Sequence, residues 1–152
     1  MTRIDLSSTN PLGYAAVTAM EGYARKSVDK RLLELIKIRA SVINGCTFCV
    51  DLHMTDGLKA GIPRRVLTVA TAWEHAGELL EDRDRAVLAL TDALTRLESP
   101  GMSQEIWDAA AAFFSDSELG ALVLAIATIN VWNRIAIGTG MTPPVSAKDP
   151  VV

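Results

Sequence analysis

Apolar residues along this chain recur at helical spacing almost throughout, and no run alternates apolar and polar positions as a half-buried strand does. Asn10-Pro11 pairs a capping residue with a proline at a first helical position. It predicts a helix carrying Leu12, Ala16, Met20 and Tyr23 on one face. Ser27 to Lys30 reads as a break. A second helix follows from Asp29 to Ile43, apolar over most of its circumference, as a helix buried on several sides is. Asn44-Gly45 is a stop signal. A third helix starts at or just after Cys46 and runs to about Lys59, ended by Gly61-Ile62-Pro63. Pro63 is placed to open a fourth, through Val66, Val69, Ala70 and Trp73, weakened at Gly77. Glu81 to Glu98 is the plainest amphipathic segment, with Val87, Leu90, Leu94 and Leu97 on one stripe, broken by Ser99-Pro100-Gly101. Ser103 caps a short helix through Ile106, Trp107, Ala110 and Phe113. Ser115-Asp116-Ser117-Glu118 has capping-box form and opens a last long helix to about Ile137. The residues from about 139 to 152 read as a mobile tail.

Short connections without an internal repeat suit an all-α, compact multi-helix bundle of one domain, residues 1–152. Composition agrees: 49% of the residues are hydrophobic but only 5% aromatic, which favours packed helices. The last helix is too apolar for one exposed side, which predicts a homo-oligomer that buries part of it, or of the second helix, between subunits. The net charge of -3 and mixed-sign charge runs argue against a nucleic-acid binder. Met1 to Asn10 lacks the apolar core of a signal peptide. Leu119 to Val131 falls short of the roughly 20 apolar residues of a membrane span. The expectation is therefore a cytoplasmic protein with no membrane partner.

Chemistry gathers at one place. Cys46 and Cys49 are the only cysteines, and His53, one of two histidines, follows Cys49 by four residues. In a helix these three side chains are neighbours on one face. If Gly45 ends one helix, Cys46 begins the next, where free backbone N–H groups stabilise a thiolate. The pair at i and i+3 is within disulfide reach. The imidazole of His53 can serve Cys49 as a base. Glu34 lies amid Leu32, Leu33, Leu35 and Ile36, where a carboxylate needs a partner. It either keeps its proton or exchanges it through His53 or a water. Lys37 offers it an i+3 partner.

The run from Glu34 to His53, ELIKIRASVINGCTFCVDLH, resembles the E-x11-C-x2-C-x3-H signature of AhpD-like alkylhydroperoxidases, within the carboxymuconolactone decarboxylase superfamily. Flanking segments extend the resemblance from about Asn10 to Gly138. It implies an all-helical subunit that forms trimers or hexamers, with a hydroperoxide as substrate, a dithiol reductant (protein or lipoyl-type) and no cofactor. It implies that Cys49 is the peroxidatic thiol and Cys46 the resolving thiol that meets the reductant, with Glu34 and His53 as the proton relay. Phe48 departs from the pattern: some members carry a histidine there, which removes one relay group.

Other readings compete. Two buried structural cysteines would be inert. A zinc site from Cys46, Cys49, His53 and Glu34 has enough ligands, but no second CxxC completes a familiar pattern. A thioredoxin-like site needs a strand before the motif. A decarboxylase or lactone-processing enzyme has no need of a dithiol. A non-catalytic redox sensor or interaction module would keep the thiols without turnover. His75 reads as a surface or capping residue, Asp51 and Asp56 as solvent-facing, and Trp73, Trp107 and Trp132 as packing. Arg39 and Arg134, set in apolar helices, call for carboxylate or helix-end partners.

Overall fold

Asp29 accepts hydrogen bonds from the backbone N–H groups of Arg31 and Leu32 and so starts the central helix of the protein. The computed structural model describes residues 2–98 and 101–145. The Ser99-Pro100 breaker and the tail beyond residue 145 lie outside them. The described residues form eight α-helices and no strand: α1 (Leu6–Thr9), α2 (Pro11–Ser27), α3 (Lys30–Asn44), α4 (Thr47–Lys59), α5 (Arg64–Val69), α6 (Asp82–Arg96), α7 (Gln104–Ala111) and α8 (Asp116–Thr139). The all-α bundle expected from the apolar spacing is what forms.

The long helices pack on α3. Every residue of α3 from Leu32 to Ser41 is buried, and α4, α6 and α8 enclose it. One core joins Leu33 and Ile36 of α3 to Val87 and Leu90 of α6 and to Leu122, Ile126 and Ile129 of α8. A second joins Leu35 and Ile38 to Leu67 of α5 and Leu88 of α6. Each such side chain contributes about 1.5–3 kcal/mol when fully buried. A third, smaller cluster consists of Cys46, Cys49 and Ala136, with Phe48 packed against it.

Between α5 and α6 the chain departs from the expected fourth helix. The α-helix ends at Val69, and two 3₁₀ segments follow, Ala70–His75 and Gly77–Leu79, with Ala72 at φ -145° and ψ 60°. Arg39 meets the chain at this point. Its guanidinium forms a fork with Asp92, Nε to Oδ1 at 2.6 Å and Nη2 to Oδ2 at 2.6 Å, and its Nη1 donates to the Thr71 carbonyl. The Thr71 carbonyl, next to the kink, is thus bound from outside its own segment. Pro63 caps α5 rather than opening it from within. Leu97 also differs from its expected place on the amphipathic stripe: α6 ends at Arg96, and Leu97, at φ 48°, turns outward and is exposed.

Two further features shape the site. α1, four residues long, has no apolar spacing that would announce it in the sequence. Asp5 caps it by accepting from Ser7 N at 2.9 Å, and Arg3 ties the segment before it to the end of α8. Arg3 N donates to Thr139 O at 2.6 Å, and Arg3 Nη1 donates to Gly138 O at 2.9 Å. α8 is, by length and composition, apolar enough to cross a membrane: within its 24 residues an 18-residue stretch has a mean hydropathy of 1.5. It packs as a core helix instead, with Leu119, Leu122, Ile126, Ile129 and Asn133 buried. In α2 only Ala24 is buried, and Leu12, Met20 and Tyr23 face outward.

Candidate active site

Gly45 makes the turn on which the site depends. It closes α3 at φ 70° and ψ 28°, a left-handed conformation that suits a residue without Cβ. Cys46 N then donates to Ser41 O at 2.9 Å, which leaves Cys46 as the N-cap of α4. A network of amides holds this corner. Asn44 Nδ2 donates to Asn130 Oδ1 and to Asn133 Oδ1, both at 2.9 Å, and Asn133 Nδ2 donates to Ser41 Oγ at 3.0 Å. The end of α3 is thus fixed to α8 one residue before the turn.

Cys46 and Cys49 are joined as a disulfide with their Cα atoms 5.3 Å apart, inside the range such bonds require. The N-cap expectation holds: Cys46 Sγ accepts the Cys49 backbone N–H at 3.3 Å. Both residues are buried. His53, one turn beyond Cys49 on α4, is buried as well. Its Nδ1 lies 3.0 Å from Oε2 of Glu34, which reaches across from α3. The sequence placed these four residues in one site, and the fold brings them together.

Burial is the largest single influence on the Glu34 carboxyl and pushes it up, but the His53 hydrogen bond and the charges of His53, Lys37 and Arg25 together outweigh it. The carboxyl is held below its ordinary value and is ionised near neutral pH. An ionised carboxylate only accepts hydrogen bonds, so His53 must carry its proton on Nδ1. Nε2 is left as the ring nitrogen free to exchange a proton.

Lys37 does not pair with Glu34 as its i+3 spacing suggested. Its Nζ turns to Glu21 Oε1 of α2, 2.5 Å away, and its side chain is only 1% exposed. Glu21 in turn accepts from Arg25 Nε at 2.7 Å. The sequence carried one hint of this buried lysine: it lies between Ile36 and Ile38 in a helix that is apolar on nearly every side. Nothing in the sequence pointed to Glu21.

Beside Cys49 and His53 opens a pocket of about 590 Å³ between α2, α4, α8 and the segment before α1. Tyr14, Phe48, Leu52, Trp132 and Ile135 give it an apolar wall, and Glu21 and Arg25 add charge on the α2 side. Tyr14 and Trp132 meet edge to face, ring centres 5.3 Å apart. Cys49 lines this pocket and Cys46 does not. Phe48, at the position where a histidine would add to the relay, serves here as wall. Arg134 finds neither a carboxylate nor a helix end: it donates to the carbonyl and side-chain oxygen of Asn130, one turn back within α8, at 2.9 and 3.0 Å. His75 and Asp51 are exposed, and Asp56 is half-buried. Among the described residues, no three His, Cys, Asp or Glu side chains converge in a way that could hold a metal ion.

The disulfide-forming pair and the buried Glu–His pair make up a thiol and Glu–His arrangement of the AhpD peroxidase type. Comparisons with known proteins agree. The chain is 32% identical over 139 residues to the uncharacterized protein YdfG of Bacillus subtilis (strain 168), covering 91% of this chain and 94% of that one. A solved structure from Agrobacterium tumefaciens, described as a candidate AhpD antioxidant-defence protein of unknown function, superposes with a TM-score of 0.91 at 35% identity. That match covers 96% of this chain and all of the other. An uncharacterized peroxidase-related protein from Ralstonia eutropha JMP134, with an alkylhydroperoxidase AhpD core, shares the fold at a TM-score of 0.79 and 20% identity, over 91% and 74% of the two chains. The model of the carboxymuconolactone decarboxylase family matches residues 11–93, a span that contains Glu34, Cys46, Cys49 and His53, and the chain belongs to that family.

Proposed function

We propose that this protein reduces hydroperoxides through a dithiol–disulfide cycle at Cys46 and Cys49. The observation that carries the reading is a CxxC disulfide whose second cysteine lines a pocket one helical turn from a histidine bonded to a buried carboxylate. In the cycle, the Cys49 thiolate attacks a peroxide oxygen. An S–O bond forms, the O–O bond breaks, and the alcohol leaves with a proton supplied through His53. The Cys46 thiolate then attacks the Cys49 sulfenic acid, closing the disulfide and expelling water. A dithiol reductant restores both thiols by exchange. Glu34 acts through His53 by fixing its tautomer and balancing the charge it takes on.

The apolar faces of α2 and the outer side of α8 (Leu12, Met20, Leu124 and Ile137) support assembly into a homo-oligomer, in line with the trimers or hexamers that the family resemblance implies.

Peroxide consumption with a dithiol reductant tests the proposal. Cys49→Ser is expected to abolish turnover, and Cys46→Ser to permit one oxidation and then stall. Continued turnover in both variants would refute the mechanism. Loss of two thiols per chain on peroxide treatment, with a mass decrease of two hydrogens, is expected of the wild type.

A further inference from the structure

The cycle requires an external thiol to open the Cys46–Cys49 disulfide, and resemblance alone gives that encounter to Cys46. The geometry points to Cys49 instead: we infer that the reductant enters the same pocket as the peroxide and attacks Cys49, with Cys46 as the leaving thiolate. The inference rests on the dithiol-cycle reading of the site.

Access comes first. Residue exposure does not separate the two cysteines, at 2% for Cys46 and 3% for Cys49. The pocket does. It reaches Cys49 on the wall formed by α4, whereas Cys46, in the same small apolar cluster, is not among the pocket's lining residues. A thiolate needs an open approach to the sulfur it attacks. The pocket, at about 590 Å³, gives that approach to Cys49.

The leaving group comes second. Exchange is faster when the displaced sulfur is the better-stabilised thiolate. Attack at Cys49 displaces Cys46, which sits at the N-cap of a 13-residue helix with its sulfur already accepting the Cys49 N–H. The helix N-terminus stabilises the charge that develops there. Attack at Cys46 would instead displace Cys49, which lacks that position.

The exchange balances as follows. A reductant thiolate forms a bond to Cys49 Sγ, the Cys46–Cys49 bond breaks, and the electron pair leaves on Cys46 Sγ. The second thiolate of the reductant attacks the reductant's own sulfur in the mixed disulfide. This forms the reductant disulfide and releases the Cys49 thiolate. The two protons lost by the reductant are recovered by the two cysteines. Cys49 is thus the electrophile in both halves of the cycle, as sulfenic acid and as disulfide. Cys46 meets only Cys49, and peroxide and reductant exclude each other from one pocket.

The test maps the first exchange. Protein oxidised with diamide is treated briefly with 2-mercaptoethanol, its freed thiols are capped with N-ethylmaleimide, and it is quenched in acid. Trypsin leaves both cysteines on the peptide from Ala40 to Lys59, and fragment ions that break between them assign each adduct. The expected result is mercaptoethanol on Cys49 and maleimide on Cys46, in about tenfold excess over the reverse. Equal labelling or the reverse pattern overturns the inference. Leu52→Trp, at the exposed rim of the pocket, is expected to slow peroxide oxidation and thiol reduction by the same factor. A variant slowed only toward peroxide also overturns it. The mapping needs no peroxide turnover. A Cys49 adduct on a protein that consumes no peroxide refutes the peroxidase reading and leaves the access argument standing, and turnover with the adduct on Cys46 does the opposite.

Discussion

Lys37 Nζ lies 2.5 Å from Glu21 Oε1, so a buried ammonium on α3 is matched by a carboxylate on α2 at the edge of the pocket. The pair is asymmetric. Glu21 also holds Arg25 at 2.7 Å, whereas Lys37 has Glu21 as its one hydrogen-bond partner among the described residues. Removing the lysine leaves the carboxylate paired, but removing the carboxylate strands a buried charge. Glu21→Gln is therefore expected to cost about 3–5 kcal/mol, and Lys37→Met distinctly less. Denaturant unfolding of both variants measures this, and equal losses would contradict the asymmetry.

Acid sensitivity follows from Glu34. Its carboxyl in the folded protein is held below the ordinary value of 4.5. The unfolded chain therefore takes up the proton first as the pH falls. The stability contributed by the ionised carboxylate is full above about pH 4.5 and is lost as pH drops through the lower folded value. The wild type should exceed Glu34→Gln in unfolding free energy near neutral pH, and the gap should close in acid. A gap that stays constant from about pH 7 down to about pH 3 would show that Glu34 is not ionised in the folded protein.

These charges show what a sequence reveals and what it hides. Helix starts at Asp29 and Ser115, the stop at Gly45 and the CxxC with its histidine are local signals, each written within eight residues, and the fold keeps them. Glu34 was legible because a carboxylate amid four apolar neighbours demands a partner. Glu21 and Lys37 were not, since their contact joins two helices whose relative placement no local pattern encodes. The same holds for the kink at Ala72, beside the Thr71 carbonyl that Arg39 binds from 32 residues away. The pocket was illegible too, because its walls come from α2, α4, α8 and the capped turn at Asp5.

Two glycines should respond oppositely to alanine. A Cβ on Gly57 would lie 2.8 Å from Leu67 Cδ2 and 3.0 Å from Cδ1, and Leu67 is fully buried. Helix propensity favours Ala by about 1 kcal/mol, while overpacking costs about 1–3 kcal/mol. Gly57→Ala should therefore be neutral to about 2 kcal/mol destabilising. Gly22, in the middle of α2, has nothing within 4 Å of its would-be Cβ. Gly22→Ala should stabilise by up to about 1 kcal/mol. Thermal melts of the two variants give the comparison, and a higher melting temperature for Gly57→Ala would remove the close α4–α5 approach as an explanation for that glycine.

Asn133 tests the corner that carries Cys46. It is fully buried and bridges Asn44 and Ser41. Asn133→Ala leaves Ser41 Oγ without its donor, though Asn44 keeps Asn130. The expected cost is about 1–3 kcal/mol. Since the amides fix the end of α3 just before Gly45, disulfide closure after peroxide addition should slow as well. Stopped-flow Trp fluorescence against thiol titration separates the two effects. A fully stable variant with normal closure would show that the corner holds without Asn133.

The sharpest test of the relay is whether Glu34 and His53 act as one unit. Glu34→Gln keeps an oxygen able to accept from His53 Nδ1 but removes the charge, so the imidazole stays aimed while its protonated form loses support. Oxidation of Cys49 should slow by about 10²-fold, and the pH-rate profile should move to higher pH. His53→Gln removes the proton-transfer group itself and should cost at least as much. If Glu34 works only through His53, the double variant is no slower than His53→Gln alone, because the carboxylate has nothing left to act on. Fully additive losses would mean that Glu34 reaches the thiol by a second route, such as a water in the pocket. A Glu34→Gln profile with unchanged pH dependence would reduce the 3.0 Å contact to a structural one.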